Sequence, residues 1–220
     1  MNAPRQANRQ GMKTGKPTSH VTAKERGADA AVMQELRPGQ SIELLQELHI
    51  LTREGKLNQD SRRKLKQVYH LFGFIEPLLA QLHASGRSNI TLADHGAGKS
   101  YLGFILYDLF FKQLGSGTVY GIETRPELVE KSTALAQQLG FARMQFLALS
   151  VQQASASSAL PDSFDVVTAL HACDTATDDA IAFALQKKRA TSGACALLPS
   201  RSRCLLAAAQ SRATRAHPFG

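Results

Sequence analysis

The stretch "NITLADHGAGKSYLGFILYDLF", Asn89 to Phe110, decides how this chain is read. "NITLAD" predicts a short buried strand, and "KSYLGFILYDLFFKQLG" predicts a helix that ends at Gly115. Between them stand Asp94, Gly96 and Gly98, spaced D-x-G-x-G, followed by Lys99 and Ser100. Two chemistries compete for this loop. A phosphate loop needs G-x-x-x-x-G-K-[ST]. Five places before Gly98, however, stands Ala93, at the end of the strand, where that loop should begin. The other chemistry is a nucleoside cofactor. Glycines directly after a strand and before a helix make the tight turn and let a cofactor approach the backbone.

The next strand, "GTVYGIE", favours the second chemistry. It ends on Glu123, 25 residues after Gly98. An acid at the end of the second strand is placed to accept hydrogen bonds from ribose hydroxyls. The third glycine of G-x-G-x-x-G is missing, which argues against NAD. A P-loop-like nucleotide-binding protein stays as an alternative reading, and so does a plain loop with a surface glutamate.

Outward from this centre the chain alternates. "RPELVEKSTALAQQLG" predicts a helix with Pro126 near its start and Gly140 at its end. "MQFLALSV" predicts a strand, "LPDS" a turn, "FDVVTALHACD" a strand and "DDAIAFALQKK" a helix. Alternating strands and helices mean βαβ units and a parallel sheet, with the strand C-termini along one ligand-binding edge. Upstream lie two amphipathic helices. The first carries Ile42, Leu45, Leu48 and Leu51, with Ser41 as N-cap; the second carries Leu65, Val68, Phe72, Ile75, Leu79 and Leu82. Pro77 is expected to kink or restart the second helix. The expected organisation is a disordered basic arm over 1–38, N-terminal helices over 39–88, a Rossmann-like domain over 89–188 and an atypical tail over 189–220.

The net charge of +8 is unevenly placed. Residues 1–88 carry 14 Lys/Arg against 8 Asp/Glu, residues 89–188 carry 7 against 10, and residues 189–220 carry 5 against none. The basic flanks, including Arg62, Arg63, Lys64 and Lys66 on the second helix, suit a polyanion such as RNA; a solvated helix face competes with that reading. No run of about 18 apolar residues predicts a membrane span. The N-terminus lacks a signal-peptide core, and a reducing cytoplasm is the default location. Cys173, Cys195 and Cys204 show neither disulfide-framework nor zinc-ligand spacing, so no metal is expected.

Three ordered blocks carry a resemblance: "DHGAGKSYLGFILYDLF", "GIETRPELVEKS" and "DVVTALHACDTATDDAI". Together they resemble the class I S-adenosylmethionine-dependent methyltransferases. Within these the chain is similar to the methyltransferase-domain group that includes the glutathione-S-transferase-C-terminal-domain-containing protein and its bacterial relatives. The resemblance spans about residues 40–188. It implies S-adenosylmethionine as cofactor and RNA as a substrate class. It places Asp94, Gly96 and Gly98 at the methionyl and ribose portions, and Glu123 at the ribose. Leu149 and Ser150 fall beside the adenine, without the acid or amide often found there. "LHACD" then lines the transfer cleft with His171, Cys173 and Asp174.

Methyl transfer is an in-line displacement, so the protein positions the nucleophile and removes its proton. His171 is the candidate base, set against a packing histidine. Asp174 orients a substrate amine or caps the next helix. Cys173 reads more simply as a small buried thiol. Lys99 can meet a carboxylate or stay solvated. After Lys188 the family's expected continuation is absent. "LLPSRSRCLLAAAQ", back-translated and shifted by one base, spells a segment similar to it. The tail is therefore expected to be an out-of-frame end on a truncated enzyme whose α/β Rossmann-like sheet has about four strands. A non-catalytic cofactor- or RNA-binding fragment is the corresponding alternative function.

Overall fold

Four short apolar segments pair in parallel, in the order β3-β2-β1-β4. They are β1 (Thr91–His95), β2 (Thr118–Glu123), β3 (Met144–Ala148) and β4 (Val166–Thr168). The coordinates are a computed structural model and describe residues 31–169 and 182–187. Asp94 of β1 stands beside Gly121 of β2 and Thr168 of β4. The chain order therefore reverses at β1, and this switch point is where such sheets open a crevice at their carboxyl ends.

Both faces of the sheet are covered, as alternating side chains dictate. Leu92, Val119, Met144 and Val166 join one buried cluster. Ala93, Ile122 and Val167 join the other. The first face packs against α1 (Ile42–Glu47), α2 (Gln59–Ala84), α3 (Tyr101–Leu106) and α4 (Pro126–Gln138). The second packs against Ala154 of α5 (Val151–Ala156) and Phe183 in the helical residues 182–187. Phe72, Phe104, Phe111 and Phe183 are fully buried, each contributing about 1.5–3 kcal/mol of apolar transfer. Between β2 and β3 the Phe146 ring lies directly over the backbone of Gly121. A Cβ at Gly121 would fall 2.3 Å from the Phe146 ring, so only glycine fits there.

The helix after β1 runs from Tyr101 into a π-helical stretch, Tyr107–Phe111, and closes at Gly115 with φ 71°. The π turn buries Asp108. Its Oδ2 accepts from Gln40 Nε2 at 2.7 Å and from the Ser41 amide at 2.8 Å. Ser41 in turn caps α1, accepting from the Leu44 amide at 3.1 Å. One carboxylate thus pins the N-terminal helices to the sheet domain.

Several sequence expectations change. The arm ends before residue 38: residues 31–35 are helical, and Val32 and Leu36 are buried in the first cluster. The first helix ends at Glu47, and His49 turns the chain at φ 55°, placing Ile50 and Leu51 in the core from a loop. α2 runs through Pro77 as one 26-residue helix instead of restarting. The strand expected over "MQFLALSV" stops at Ala148, because Ser150 and Gln153 form a capping box that opens α5. Residues 189–220 and the truncation expectation lie outside the described residues.

Candidate cofactor cleft at the carboxyl edge of the sheet

The loop between β1 and α3 holds three left-handed residues: Gly96 at φ 63°, Gly98 at φ 57° and the non-glycine Ser100 at φ 49°. Left-handed backbone disfavours a side chain, so Ser100 needs compensation. Asp94 supplies it. Asp94 is 1% exposed, and its Oδ2 accepts from Ser100 Oγ at 3.0 Å. Its Oδ1 accepts from Thr168 Oγ1 at 3.0 Å, and the Gly103 amide also donates to the carboxylate. A Cβ at Gly103 would lie 2.4 Å from Ser100 Oγ and 3.2 Å from Asp94 Oδ2, so glycine allows that close approach. Burial pushes the Asp94 carboxyl up to about 6, against the pull of the donors from Thr168, Ser100 and Gly103. Asp94 therefore ties β1, β4 and α3 together from beneath the loop.

Glu123 sits one strand over, with quite different partners. It accepts from the Gly98 amide at 2.7 Å, joining the two strand ends. It also accepts from the Thr124 amide and hydroxyl at 3.0 and 3.2 Å. Arg125 donates its amide at 3.2 Å, Nε at 3.0 Å and Nη2 at 3.3 Å. Burial alone would raise the Glu123 carboxyl. The Arg125 guanidinium and the Gly98 and Arg125 amides outweigh it and hold the group at about 2.

A cleft of about 240 Å³ opens above the loop, walled by Asp94, Gly96, Gly98, Tyr101, Leu102 and Arg125. Nothing lies within 4 Å of a Cβ built on Gly96, and at Gly98 the nearest atom is Arg125 Nη2 at 3.8 Å. The bare backbone of this loop is thus open to a ligand, as a nucleoside cofactor requires. A larger hollow of about 450 Å³ runs between Glu47–His49 and α4. It shares only Lys99 with the cleft and touches no strand end, so the smaller cleft is the better candidate.

The sequence-predicted residues divide into groups. Asp94, Gly96, Gly98 and Glu123 lie on one edge, where the Gly98 amide bonds Glu123. Ser150 stands at the end of β3, where the Leu149 amide bonds the Glu123 carbonyl at 3.0 Å. Its own hydroxyl and amide are engaged in the capping box with Gln153, at 3.3 and 2.9 Å. His171, Cys173 and Asp174 lie outside the described residues. Sequence reasoning missed Thr168, Ser100 and Arg125. Thr168 and Ser100 carry no local signal, whereas a guanidinium two residues past a strand-terminal acid was a visible cue. Among the described residues no group of three His, Cys, Asp or Glu side chains is placed to hold a metal, and no helix is long and apolar enough to cross a membrane.

No curated protein matches the sequence. Solved structures resemble it in part. An rRNA methylase from Streptococcus thermophilus is 13% identical, covering 51% of this chain and 62% of that one, with a TM-score of 0.39. Magnesium protoporphyrin IX methyltransferase from Synechocystis PCC 6803, solved with bound SAH, is 18% identical over 70% of this chain and 65% of that one, at 0.44. TrmN from Thermus thermophilus is 17% identical over 56% and 37%, at 0.42. The chain spans 62% or less of the first three solved structures it matches. A family model described as a methyltransferase domain matches residues 63–196, more than half of the sequence. It takes in α2, the glycine loop, Glu123 and the four strands alike: the chain belongs to the methyltransferase-domain family.

Proposed function

We propose that this chain is an S-adenosylmethionine-dependent methyltransferase domain acting on RNA. One observation carries the cofactor reading: the open glycine loop anchored by Asp94 stands beside a strand-terminal Glu123 that bonds the same loop. The loop at Gly96 and Gly98 holds the methionyl and ribose portions. Glu123 takes the ribose hydroxyls, and the Leu149–Ser150 turn flanks the adenine. S-adenosylmethionine supplies an electrophilic methyl group when bound. The protein's task is then to align a nucleophile and accept its proton, for which His171 is the proposed base and Asp174 the orienting acid.

The cations near the cleft support the RNA reading. Lys64 Nζ lies 5.9 Å over the ring of Tyr101, which lines the cleft, and Lys99 borders it. The rest of the basic helix is partly engaged. Arg62 pairs with Glu35 at 2.7 Å and Arg63 with Asp60 at 3.5 Å. Incubating total RNA and total protein with a tritiated methyl donor tests the proposal. Label in RNA is expected. Label in protein alone would move the substrate class, and binding of S-adenosylhomocysteine without label in either would favour a non-catalytic binding domain.

A further inference from the structure

We propose that Arg125 gates the cofactor cleft: its guanidinium occupies the face of Glu123 that a ribose diol must take, so only a ligand carrying that diol displaces it. The inference rests on Glu123 being the ribose acceptor.

A carboxylate offers about four lone-pair directions. Glu123 receives six donated hydrogen bonds: from the amides of Gly98, Thr124 and Arg125, the Thr124 hydroxyl, and Arg125 Nε and Nη2. No acceptor direction is left for a new hydroxyl. The three amides belong to the loop and strand end and cannot leave without unmaking the site. The Arg125 side chain can leave. It is 59% exposed, against 7% for the Glu123 side chain. A half-exposed ion pair holds weakly, because water and salt compete for it. The same guanidinium also walls the cleft and lies 3.8 Å from where a Gly98 Cβ would be. It therefore bridges both halves of the ribose position.

A released Arg125 also has somewhere to go. Glu127, exposed in the first turn of α4, already favours its charge. Exchanging Glu123 for Glu127 keeps the guanidinium near a carboxylate and leaves the Gly98 amide as the one donor on Oε2, which opens an acceptor direction on that oxygen for a ribose hydroxyl. A ligand without the diol gains nothing from this exchange, because it brings no donors to replace those that leave. Arg125 is in this sense a specificity-determining residue, one that raises the threshold for entry and reserves the cleft for a ribonucleoside.

Calorimetric titration with two probes tests this. The probes are S-adenosylhomocysteine and its analogue lacking both ribose hydroxyls. Arg125→Ala should bind S-adenosylhomocysteine about fivefold tighter than the native chain, the upper end for an exposed ion pair. Arg125→Gln, which keeps the stem and removes the charge, should do the same. The affinity of the native chain should rise with salt as the pair is screened, while that of Arg125→Ala stays flat. The analogue should bind native chain and variants alike. If the native chain binds S-adenosylhomocysteine and both variants bind it equally or more weakly, the gate is wrong and the cofactor reading stands. If the analogue gains as much as the parent, the diol is not what Arg125 competes with. If no form binds S-adenosylhomocysteine, the cofactor reading falls and takes the gate with it.

Discussion

Two acids end neighbouring strands of one sheet and live in opposite circumstances. Asp94 near the end of β1 is almost wholly buried at the wall of the cleft and bonded only by neutral donors, so burial lifts its carboxyl to about 6. Glu123 at the end of β2 is buried as well, but it pairs with the Arg125 guanidinium that walls the cleft, which helps hold its carboxyl at about 2. Position in the sheet is almost the same, and Glu123 even bonds the loop that Asp94 supports. What differs is the donors around each carboxylate, two hydroxyls and an amide for Asp94 and a guanidinium among the donors of Glu123. Asp94, bonded by the loop's own hydroxyl and by Thr168, builds the site; Glu123 is the proposed ribose acceptor.

The sharpest way to break this contrast is to remove each acid in turn. Asp94→Ala leaves the Ser100 hydroxyl and the Gly103 amide without this acceptor, and the Thr168 hydroxyl with the Ala93 carbonyl at 3.4 Å. It should cost about 3–5 kcal/mol in urea unfolding, because each buried donor left unsatisfied costs about 1–3 kcal/mol. A loss below about 1 kcal/mol would mean that the loop does not depend on Asp94.

The pH dependence separates the acids next. Asp94 has a folded value raised from 3.8 to about 6. The folded state therefore binds more protons than the unfolded state across that interval. Its contribution is fully present below about 3.8 and is lost as pH rises through about 6, a change of about 3 kcal/mol at 1.36 kcal/mol per unit. Glu123, lowered from 4.5 to about 2, runs the other way: its contribution is present above about 4.5 and is lost as pH falls toward 2. Urea midpoints of Asp94→Ala should lack the decline between about pH 4 and 6. A decline of native size in that variant would assign it to another group.

Glu123→Ala should reverse the balance of effects. Its Thr124 and Arg125 donors are exposed, so water can take over from the carboxylate there and stability should fall by about 2 kcal/mol, less than for Asp94→Ala. Binding of S-adenosylhomocysteine should weaken more than about tenfold, the worth of one charged hydrogen-bond acceptor. A stability loss as large as that of Asp94→Ala would erase the distinction between a carboxylate that builds the site and one that meets the ligand.

The smallest effect belongs to the rim. With Arg62 and Arg63 engaged by acids, about three cations, Lys64, Lys66 and Lys99, remain for a single strand. The log–log salt slope of RNA binding should be about −2, from about −0.7 per contact. Lys64→Ala should flatten it by about 0.7 while leaving cofactor affinity alone. RNA binding that ignores salt would detach the basic helix from the substrate.

Much of this architecture is local, and local features can be read from a sequence. The glycine spacing, Glu123 at the end of an apolar run, Pro126 and Gly140 at the two ends of α4, and Ser41 as a cap each depend on a few neighbouring residues. That is enough to place the parallel sheet and the edge where its carboxyl ends lie. α5 was missed although its capping box, Ser150 with Gln153, is equally local; the apolar run before it hid the start. Other features join residues far apart in the chain. Thr168 reaches Asp94 across 74 positions, and Gln40 reaches Asp108 across 68. No spacing rule announces such pairs, because they depend on which strand lies beside β1 and on a π turn that aims Asp108 inward. The sequence by itself determined that an acid and two glycines follow one strand and that an acid ends the next. Only the tertiary structure decided that the first acid is buried among neutral donors and the second is buried against Arg125. Burial and charge pairing are properties of what surrounds a side chain, and those surroundings exist only once the sheet has closed.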